Sequence, residues 1–323
     1  MSVTLSVVMP ATDQPPTLAD AEAALAASRR PADEVLVVTD ASLGASDARN
    51  AGAARAAGDV LVFVDTDVRV HPDALGRIRD AFDADPSLTA LHGSYDDSPS
   101  HRSTVSAFRN LLHHHVHQAN PGPAETFWTG LGAVRRDAFM AVGGLDAERY
   151  PHPSIEDIEL GHRLVAAGGR LVLDPTVQGT HLKRWTLRSM VHTDFARRAV
   201  PWVALQVRSR RLSSALNMGW AHRCSAIACV ALVLAVLATS LPLLALAAGL
   251  LVGLNHRLYA LLARRLGVAR GALAIGLHWL HHLVAVAAVP AGVLLAVHER
   301  GSVATRTPSP LVQEALVGSG SAP

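Results

Sequence analysis

From Cys224 to Leu254 the chain runs without one formal charge, and from Ala272 to Val297 only histidines interrupt the apolar residues. Either stretch exceeds the roughly 20 residues that a helix needs to cross the hydrocarbon of a bilayer. Half of the 323 residues are apolar and only 17% are charged. A soluble fold would have to cover both stretches with surface that residues 1–220 do not spare. The expectation is therefore membrane insertion through two spans, about 224–254 and 272–297. Cys224 and Cys229 both fall in the first span, too close in sequence and too deep for a structural disulfide, and read as small hydrophobes.

The residues around these spans suggest how they are oriented. Val3 to Met9 reads as a buried strand and not as a basic leader with a cleavage site, so the front half is expected in the cytoplasm, at the inner or plasma membrane. Residues 186–223 mix Leu, Met, Phe, Val and Trp with arginines, as an amphipathic helix on a membrane surface would. Lys183, Arg184, Arg188, Arg197, Arg198, Arg208, Arg210, Arg211 and Arg223 form a basic belt there that suits anionic lipid headgroups. Arg257, Arg264, Arg265 and Arg270 stand between the two apolar stretches, and a two-span hairpin carries them outside, against the positive-inside tendency. The break at Thr239-Ser240-Leu241-Pro242 offers an alternative, in which the first stretch folds back on itself. Residues 301–323, rich in Gly, Ser and Pro, read as a disordered tail.

Residues 1–93 alternate short apolar runs with helical patterns: Leu5 to Met9, Val35 to Val38, Val60 to Val64 and Leu88 to Leu91 as strands, with helices between them. Such alternation marks βαβ units around a mostly parallel sheet, the α/β class. Ligands of open α/β sheets gather where strands end, and acids stand at three of those junctions: Asp13, Asp40, and Asp65 with Asp67. Thr126 to Val134 and Leu171 to Leu173 are further strand candidates, with a helix from Ile155 to Ala167 between them and a His-rich excursion from 94 to 125 before them. The run His113-His114-His115-Val116-His117 lacks the spacing of a closed zinc site, because adjacent helical residues point in different directions. His278, His281 and His282 share one side of the second span and read as a polar stripe packed against the first.

Val60 to Val64 is continuously apolar, so a strand buried on both faces delivers Asp65-Thr66-Asp67 to its carboxyl end. Two carboxylates one residue apart can hold Mg²⁺ or Mn²⁺ and leave coordination sites for water and phosphate oxygens. The bland alternative is a turn whose acids cap the helix near Pro72. The stretch Ser46-Asp47-Ala48-Arg49-Asn50-Ala51-Gly52, continuing through Gly58 to Val64 into Asp65-Thr66-Asp67, resembles the donor-site region of family 2 glycosyltransferases, as does Leu5-Ser6-Val7-Val8-Met9-Pro10-Ala11. The resemblance implies a GT-A nucleotide-diphospho-sugar transferase domain. It also implies nucleotide-sugar binding by Pro10, Asp40, Arg49 and Asp65, and a divalent metal on Asp67. Departures are the single acid of Thr39-Asp40, a short loop before Ala48-Arg49-Asn50, and Asp13 where many members carry Asn.

Ser154-Ile155-Glu156-Asp157-Ile158-Glu159-Leu160 resembles the Glu-Asp motif of the same family, preceded by an acceptor-side segment from Thr129-Gly130 through Gly143-Gly144-Leu145-Asp146. The resemblance makes Asp157 the catalytic base and places Glu156 and Gly130 on the acceptor side. A base is needed because a hydroxyl is a poor nucleophile until its proton is taken. The competing reading is a capping box between Ser154 and Asp157. His181-Leu182-Lys183-Arg184-Trp185 resembles the Gln-x-x-Arg-Trp motif of processive members with His181 in place of Gln, which points to single-sugar transfer. Arg184 and Trp185 are thereby expected on the acceptor side, where Arg184 would sit near the diphosphate, while Trp185 would stack on a sugar ring or acceptor, or anchor at the interface.

Together these readings give a GT-A catalytic domain over 1–185, an interfacial helix over 186–223 and a membrane region over 224–300. The expected function is inverting transfer from a nucleotide-diphosphate sugar to a lipid-linked or membrane-proximal acceptor, with membrane lipids as partners and no nucleic acid. A non-catalytic subunit with the same fold is the alternative. Oligomeric state is not legible.

Overall fold

The computed structural model describes residues 2–210, Leu216 and residues 219–300. Expectations that fall on residues 211–215, 217 and 218, Arg211 of the basic belt among them, and on the tail 301–323 lie outside the described residues. The chain divides into two compact units: one holds the residues up to Asp96 and His117–Lys183, the other Asp97–Val116 and residues 184–300. The expected catalytic domain over 1–185 is thus interrupted, since Asp97–Val116 leaves it for the second unit.

The first unit is a sheet flanked by helices. Its elements begin β1 (Leu5–Pro10), α1 (Leu18–Ala26), β2 (Glu34–Val38), α2 (Ala45–Arg55) and β3 (Val60–Val64), as the alternation predicts. There follow β4 (Val68–Val70), α3 (Ala74–Ala84), β5 (Leu88–Tyr95), α4 (Thr104–Gln118, which leads into the second unit and back), β6 (Gly122–Ala124), β7 (Leu131–Arg135), α5 (Arg136–Ala141), α6 (Glu156–Ala166) and β8 (Arg170–His181). The strands lie in the order β2-β1-β3-β7-β5-β8-β4, with β6 on β8.

Pairing of β1 with β2 and β3 is parallel, as is that of β5 with β8. By contrast, β7 runs antiparallel to both β3 and β5, and β4 and β6 run antiparallel to β8. The sheet is more mixed than the alternation implies, because only the first two crossovers are βαβ units. Every residue of β3 is fully buried. Val60, Val62 and Val64 enter one core, while Leu61 and Phe63 enter another on the opposite face. The strand that carries the acids is therefore fixed on both sides.

The second unit is helical. It contains α7 (Leu187–His192), a π-helix (Thr193–Ala199), α8 (Val200–Ser209), α9 (Trp220–Leu237), α10 (Leu241–Leu266) and α11 (Val268–Arg300). Three of these are long and apolar enough to cross a membrane: Trp220–Leu237, Leu241–Leu266 and Val268–Glu299. The stretch expected as one span over 224–254 is in fact split, because α9 ends at Leu237 and α10 begins at Leu241 with Pro242 in its first turn. Pro is tolerated there because the first N–H groups of a helix lack intrahelical partners anyway. The interfacial helix expected over 186–223 also ends early, at Ser209.

Phe108 and Leu111 of α4 pack with Trp185, Met190, Leu258, Leu262 and Ala274. The expected histidine stripe does meet the first long helix: His282 packs 4.5 Å, ring centre to ring centre, from His222 of α9. His281 also reaches buried Asp194 of the π-helix at 2.9 Å, and Asp194 pairs with Arg109 of α4 at 2.9 Å. Burial works against the Asp194 charge, but Arg109 and His281 outweigh it and hold the carboxyl well below its usual range.

Candidate active site

The carboxyl end of β3 releases Asp65, whose backbone N–H donates to the Gly130 carbonyl at 3.2 Å. Its carboxylate accepts from Arg49 Nη2 at 2.5 Å. Arg49 comes from α2 and is only 4% exposed, and its Nη1 lies 3.8 Å from Glu156 Oε1. Burial disfavours the guanidinium charge, yet Asp65 and Glu156 more than restore it, so its pKa is raised. Nε and Nη1 of Arg49 have no hydrogen-bond partner among the protein groups. Arg49 thus joins the acid at the end of β3 to the Glu-Asp pair on α6. Asn50, next to it, clamps the Leu145 backbone with two 2.9 Å bonds, tying α2 to the segment that follows α5.

Asp157 stands in the first turn of α6. Its carboxylate accepts from the Thr129 N–H at 3.3 Å and from the Ile158 N–H at 2.8 Å. Asp65 and Asp157 are therefore fastened to adjacent residues, Gly130 and Thr129, of the loop before β7. Burial, reinforced by the neighbouring Glu156 charge, pushes the Asp157 carboxyl up to about 7, while the Thr129 N–H and Arg49 pull the other way. That value suits a group that must take a proton near neutrality.

The capping box that competes as a reading of Ser154 and Asp157 does not form. Ile155 is the N-cap, and the Ser154 N–H donates instead to Glu156 Oε2 at 2.7 Å. Gly161 lets α6 approach this loop, since a Cβ there would stand 2.5 Å from the Phe127 backbone nitrogen. Arg163 fixes the helix further, donating to the carbonyls of Val142 and Gly144 at 2.7 Å each and to Glu159 at 2.8 Å.

Residues 43–143 match the family described as glycosyl transferase family 2. That match covers 101 of the 323 residues, from just before α2 to just after α5, and supports a glycosyltransferase. The structure of this glycosyltransferase is similar to that of a mannosyltransferase from Pyrobaculum calidifontis solved in complex with GDP-Man and Mn²⁺, with a TM-score of 0.53 and 16% identity over 92% of this chain and 88% of that one. That similarity shows the fold, which is GT-A. A structure of GalNAc-T7 with UDP, GalNAc and Mn²⁺ matches with a TM-score of 0.46 and 13% identity, over 70% of this chain and 51% of that one. No curated protein sequence matches the chain.

In the glycosyltransferase Asp67 lies beyond the turn after Asp65, where its carbonyl accepts from the Leu182 N–H at 2.7 Å. Its carboxylate is 3.7 Å from His181 Nε2 and 3.8 Å from Lys183 Nζ. Burial raises the Asp67 pKa, but His181 and Lys183 outweigh it and the net shift is downward, so the group is poised as an anion. His181 is stacked on Tyr95 with centroids 4.2 Å apart and planes 11° from parallel, and Trp128 meets Tyr95 edge-on at 4.8 Å. In the sequence His181 stands out only as the residue in place of Gln in the Gln-x-x-Arg-Trp pattern. The signal that would have found its partner is the pairing of Val68 with His181, which sets β8 beside the acidic turn.

Pro10 and Asp40 sit together at the carboxyl edge of the sheet, because Pro10 is in register with Val38. Asp40 is exposed, and its carboxylate accepts from the Ser42 hydroxyl and N–H. Arg184 is exposed. Trp185 is 7% exposed, with its ring under Arg109 in the second unit. It is therefore a core residue there, and neither of the two roles weighed for it, a sugar platform or an interfacial anchor, fits that burial. His117, last of the histidine run, uses Nδ1 on the Gly93 carbonyl at 2.8 Å.

Proposed function

We propose that this glycosyltransferase moves a sugar from a nucleoside-diphosphate donor to a lipid-linked or membrane-proximal acceptor, one sugar at a time and with inversion. The observation that carries the reading is Arg49, a buried cation with two unused donor atoms held between Asp65 and the Glu156-Asp157 pair. The donor side of the site and its base are parts of one charge network. In the displacement the acceptor oxygen attacks the anomeric carbon and its proton passes to Asp157. The bond from that carbon to the diphosphate oxygen breaks, and the nucleoside diphosphate leaves with the electron pair. Attack from the face opposite the leaving group inverts the centre.

The fold and the Mn²⁺-bound neighbour imply a divalent ion. The residues that would hold it are Asp67, which supplies an anionic oxygen, and His181, whose imidazole nitrogen lies 3.7 Å from that carboxylate, a mixed oxygen and nitrogen pair of the kind Mn²⁺ accepts. Among the described residues no group of three or more His, Cys, Asp or Glu is placed to hold a metal ion by itself, so such an ion would draw most of its shell from phosphate oxygens and water. Such an ion would neutralise charge gathering on the leaving diphosphate. The long apolar helices of the second unit support a membrane location, with the catalytic domain cytoplasmic and the acceptor near the bilayer.

The test is nucleotide release from a panel of UDP-, GDP- and other nucleoside-diphosphate sugars with Mg²⁺ or Mn²⁺, on lipid-linked and on water-soluble acceptors. Turnover in the wild type and its loss in Asp157→Asn are expected. Equal turnover of purely water-soluble acceptors would overturn the acceptor assignment, and unchanged activity of Asp157→Asn would overturn the base.

A further inference from the structure

The break between α9 and α10 leaves an apolar hairpin whose charges all lie at one end. Arg223 stands at the start of α9, and Arg257, Arg264, Arg265 and Arg270 follow the end of the apolar run, while residues 224–256 carry no formal charge. Both ends of the hairpin meet, because Asn255 Nδ2 donates to the Ser225 hydroxyl at 2.8 Å. Asn255 is also where α10 leaves helical backbone geometry. Outward-facing side chains of the hairpin are apolar and bare, Leu237 at 75% exposed and Leu246 at 70% being examples, while Ala228, Cys229, Leu232, Ala247 and Leu251 pack between its arms. At its tip three N–H groups are paired within the chain: those of Ala238, Thr239 and Ser240 donate to the carbonyls of Leu234, Val236 and Ala235.

The arginine-bearing turn after the hairpin is tied to the stretch that leaves the sheet. Arg265 is ion-paired with Asp97. Arg270 donates to the Arg102 carbonyl at 2.5 Å and to the Thr104 hydroxyl at 3.5 Å. Asp97 is peptide-bonded to Asp96, the last residue of the sheet unit before the chain leaves it.

We propose that α9 and α10 cross the bilayer as a hairpin, so that the turn between α10 and α11 lies on the catalytic side and the Thr239-Ser240 tip on the other. This arrangement puts every arginine flanking the hairpin on one side, next to anionic headgroups, and removes the conflict with the positive-inside tendency that two long spans create. The partner of the bare faces is lipid hydrocarbon. The assignment needs a membrane location but none of the transfer chemistry.

The experiment uses full-length protein with Cys224 and Cys229 replaced by Ala, carrying one new cysteine at a time: Ala23→Cys on exposed α1, Ala269→Cys in the arginine turn, or Thr239→Cys at the tip. Sealed membrane vesicles of known orientation are treated with a membrane-impermeant maleimide, and detergent-solubilised samples give the full labelling of each variant. Ala23→Cys and Ala269→Cys should label from the same face and Thr239→Cys only from the opposite one, each by at least about tenfold over the wrong face. Labelling of Ala269→Cys opposite to Ala23→Cys would overturn the proposal in favour of a single crossing, and labelling of Thr239→Cys beside Ala23→Cys would show a hairpin that does not cross. Either failure leaves the nucleotide-release test standing, and failure of that test leaves the labelling pattern standing.

Discussion

Arg49→Met removes the guanidinium that holds Asp65 and Glu156 while keeping most of the side-chain volume. The arginine and Glu156 side chains are each only 5% exposed, whereas Asp65 is 30% exposed. Glu156 is therefore the partner stranded without compensation. Breaking a buried pair by removing one member costs about 3–5 kcal/mol, and for a domain of this size each kcal/mol moves the melting temperature by about 2–4 °C. The catalytic unit of Arg49→Met should accordingly melt about 6–20 °C below wild type, as followed by scanning fluorimetry in detergent.

That cost should depend on pH in a fixed direction. Burial already raises the Glu156 pKa, and Arg49 is the first charge that opposes the rise. Without Arg49 the folded-state pKa climbs further above the unfolded value. A carboxyl with a raised folded pKa destabilises as pH rises through that pKa and is harmless below the unfolded one. The gap between variant and wild type should shrink toward pH 5 and widen toward pH 8. Adding Glu156→Gln should recover much of the stability lost by Arg49→Met, but no donor binding, because the donor atoms of Arg49 are still missing. A single variant that melts within 2 °C of wild type, or a double variant no better than the single, would refute the network.

Asp157→Asn should lower the transfer rate by about 10²–10⁴-fold while leaving binding of the nucleoside-diphosphate sugar, measured by calorimetry, within a few-fold of wild type. Because Asp157 must be ionised to accept a proton and its pKa is pushed up to about 7, wild-type kcat/KM should fall roughly tenfold per pH unit below that value. His181→Ala should weaken Mn²⁺ binding in the presence of nucleoside diphosphate, read by Mn²⁺ electron paramagnetic resonance without turnover, and unchanged affinity would remove His181 from the ion's shell. Gly130→Ala would place a Cβ 2.4 Å from the Trp128 ring, and the resulting displacement should cost about 1–3 kcal/mol and slow transfer. A variant with wild-type stability and rate would mean that the ring moves freely.

The acids and their strand were legible because β3 is a continuous apolar run, a pattern that arises only when both faces of a strand are covered, and Asp65 follows it directly. The Glu-Asp pair was legible as a motif, but its chemistry was not. Nothing in the order of residues says that Arg49, from a helix more than a hundred positions earlier, reaches Glu156, or that Thr129 donates to Asp157. Those contacts depend on β7 entering the sheet between β3 and β5, a topology that the alternation of runs does not encode. Trp185 was misjudged for a related reason. Tryptophan next to arginine looks alike at a sugar site, at a membrane interface and in a core, and only the packing of α4 against α10 and α11 identifies the core. Asp67 was read correctly as an acid at the strand edge, whereas His181 and Lys183 beside it come from β8 and the residues just past it, far along the chain.

The membrane region shows how local backbone chemistry overrides an average. Hydropathy over 224–254 is continuous, so a window that counts apolar residues finds one long span. The backbone requirement works at a different scale: a helix ends where its last carbonyls find other partners and the next helix can begin. Thr239 provides the end with a left-handed φ of 52°, Ser240 adopts extended backbone, and Pro242 sits in the first turn of α10, where its missing N–H costs no intrahelical bond. Those three residues divide one apolar run into two antiparallel arms, and that division determines on which side the following arginines emerge. Replacing Thr239, Ser240 and Pro242 together by Ala, Leu and Leu should fuse the arms into one continuous helix. The arginine turn would then be carried across the bilayer, so Ala269→Cys should switch its labelling face in that background. A face that does not switch would mean that the Arg265 and Arg270 contacts with residues 97–104, and not the break, hold the turn in place.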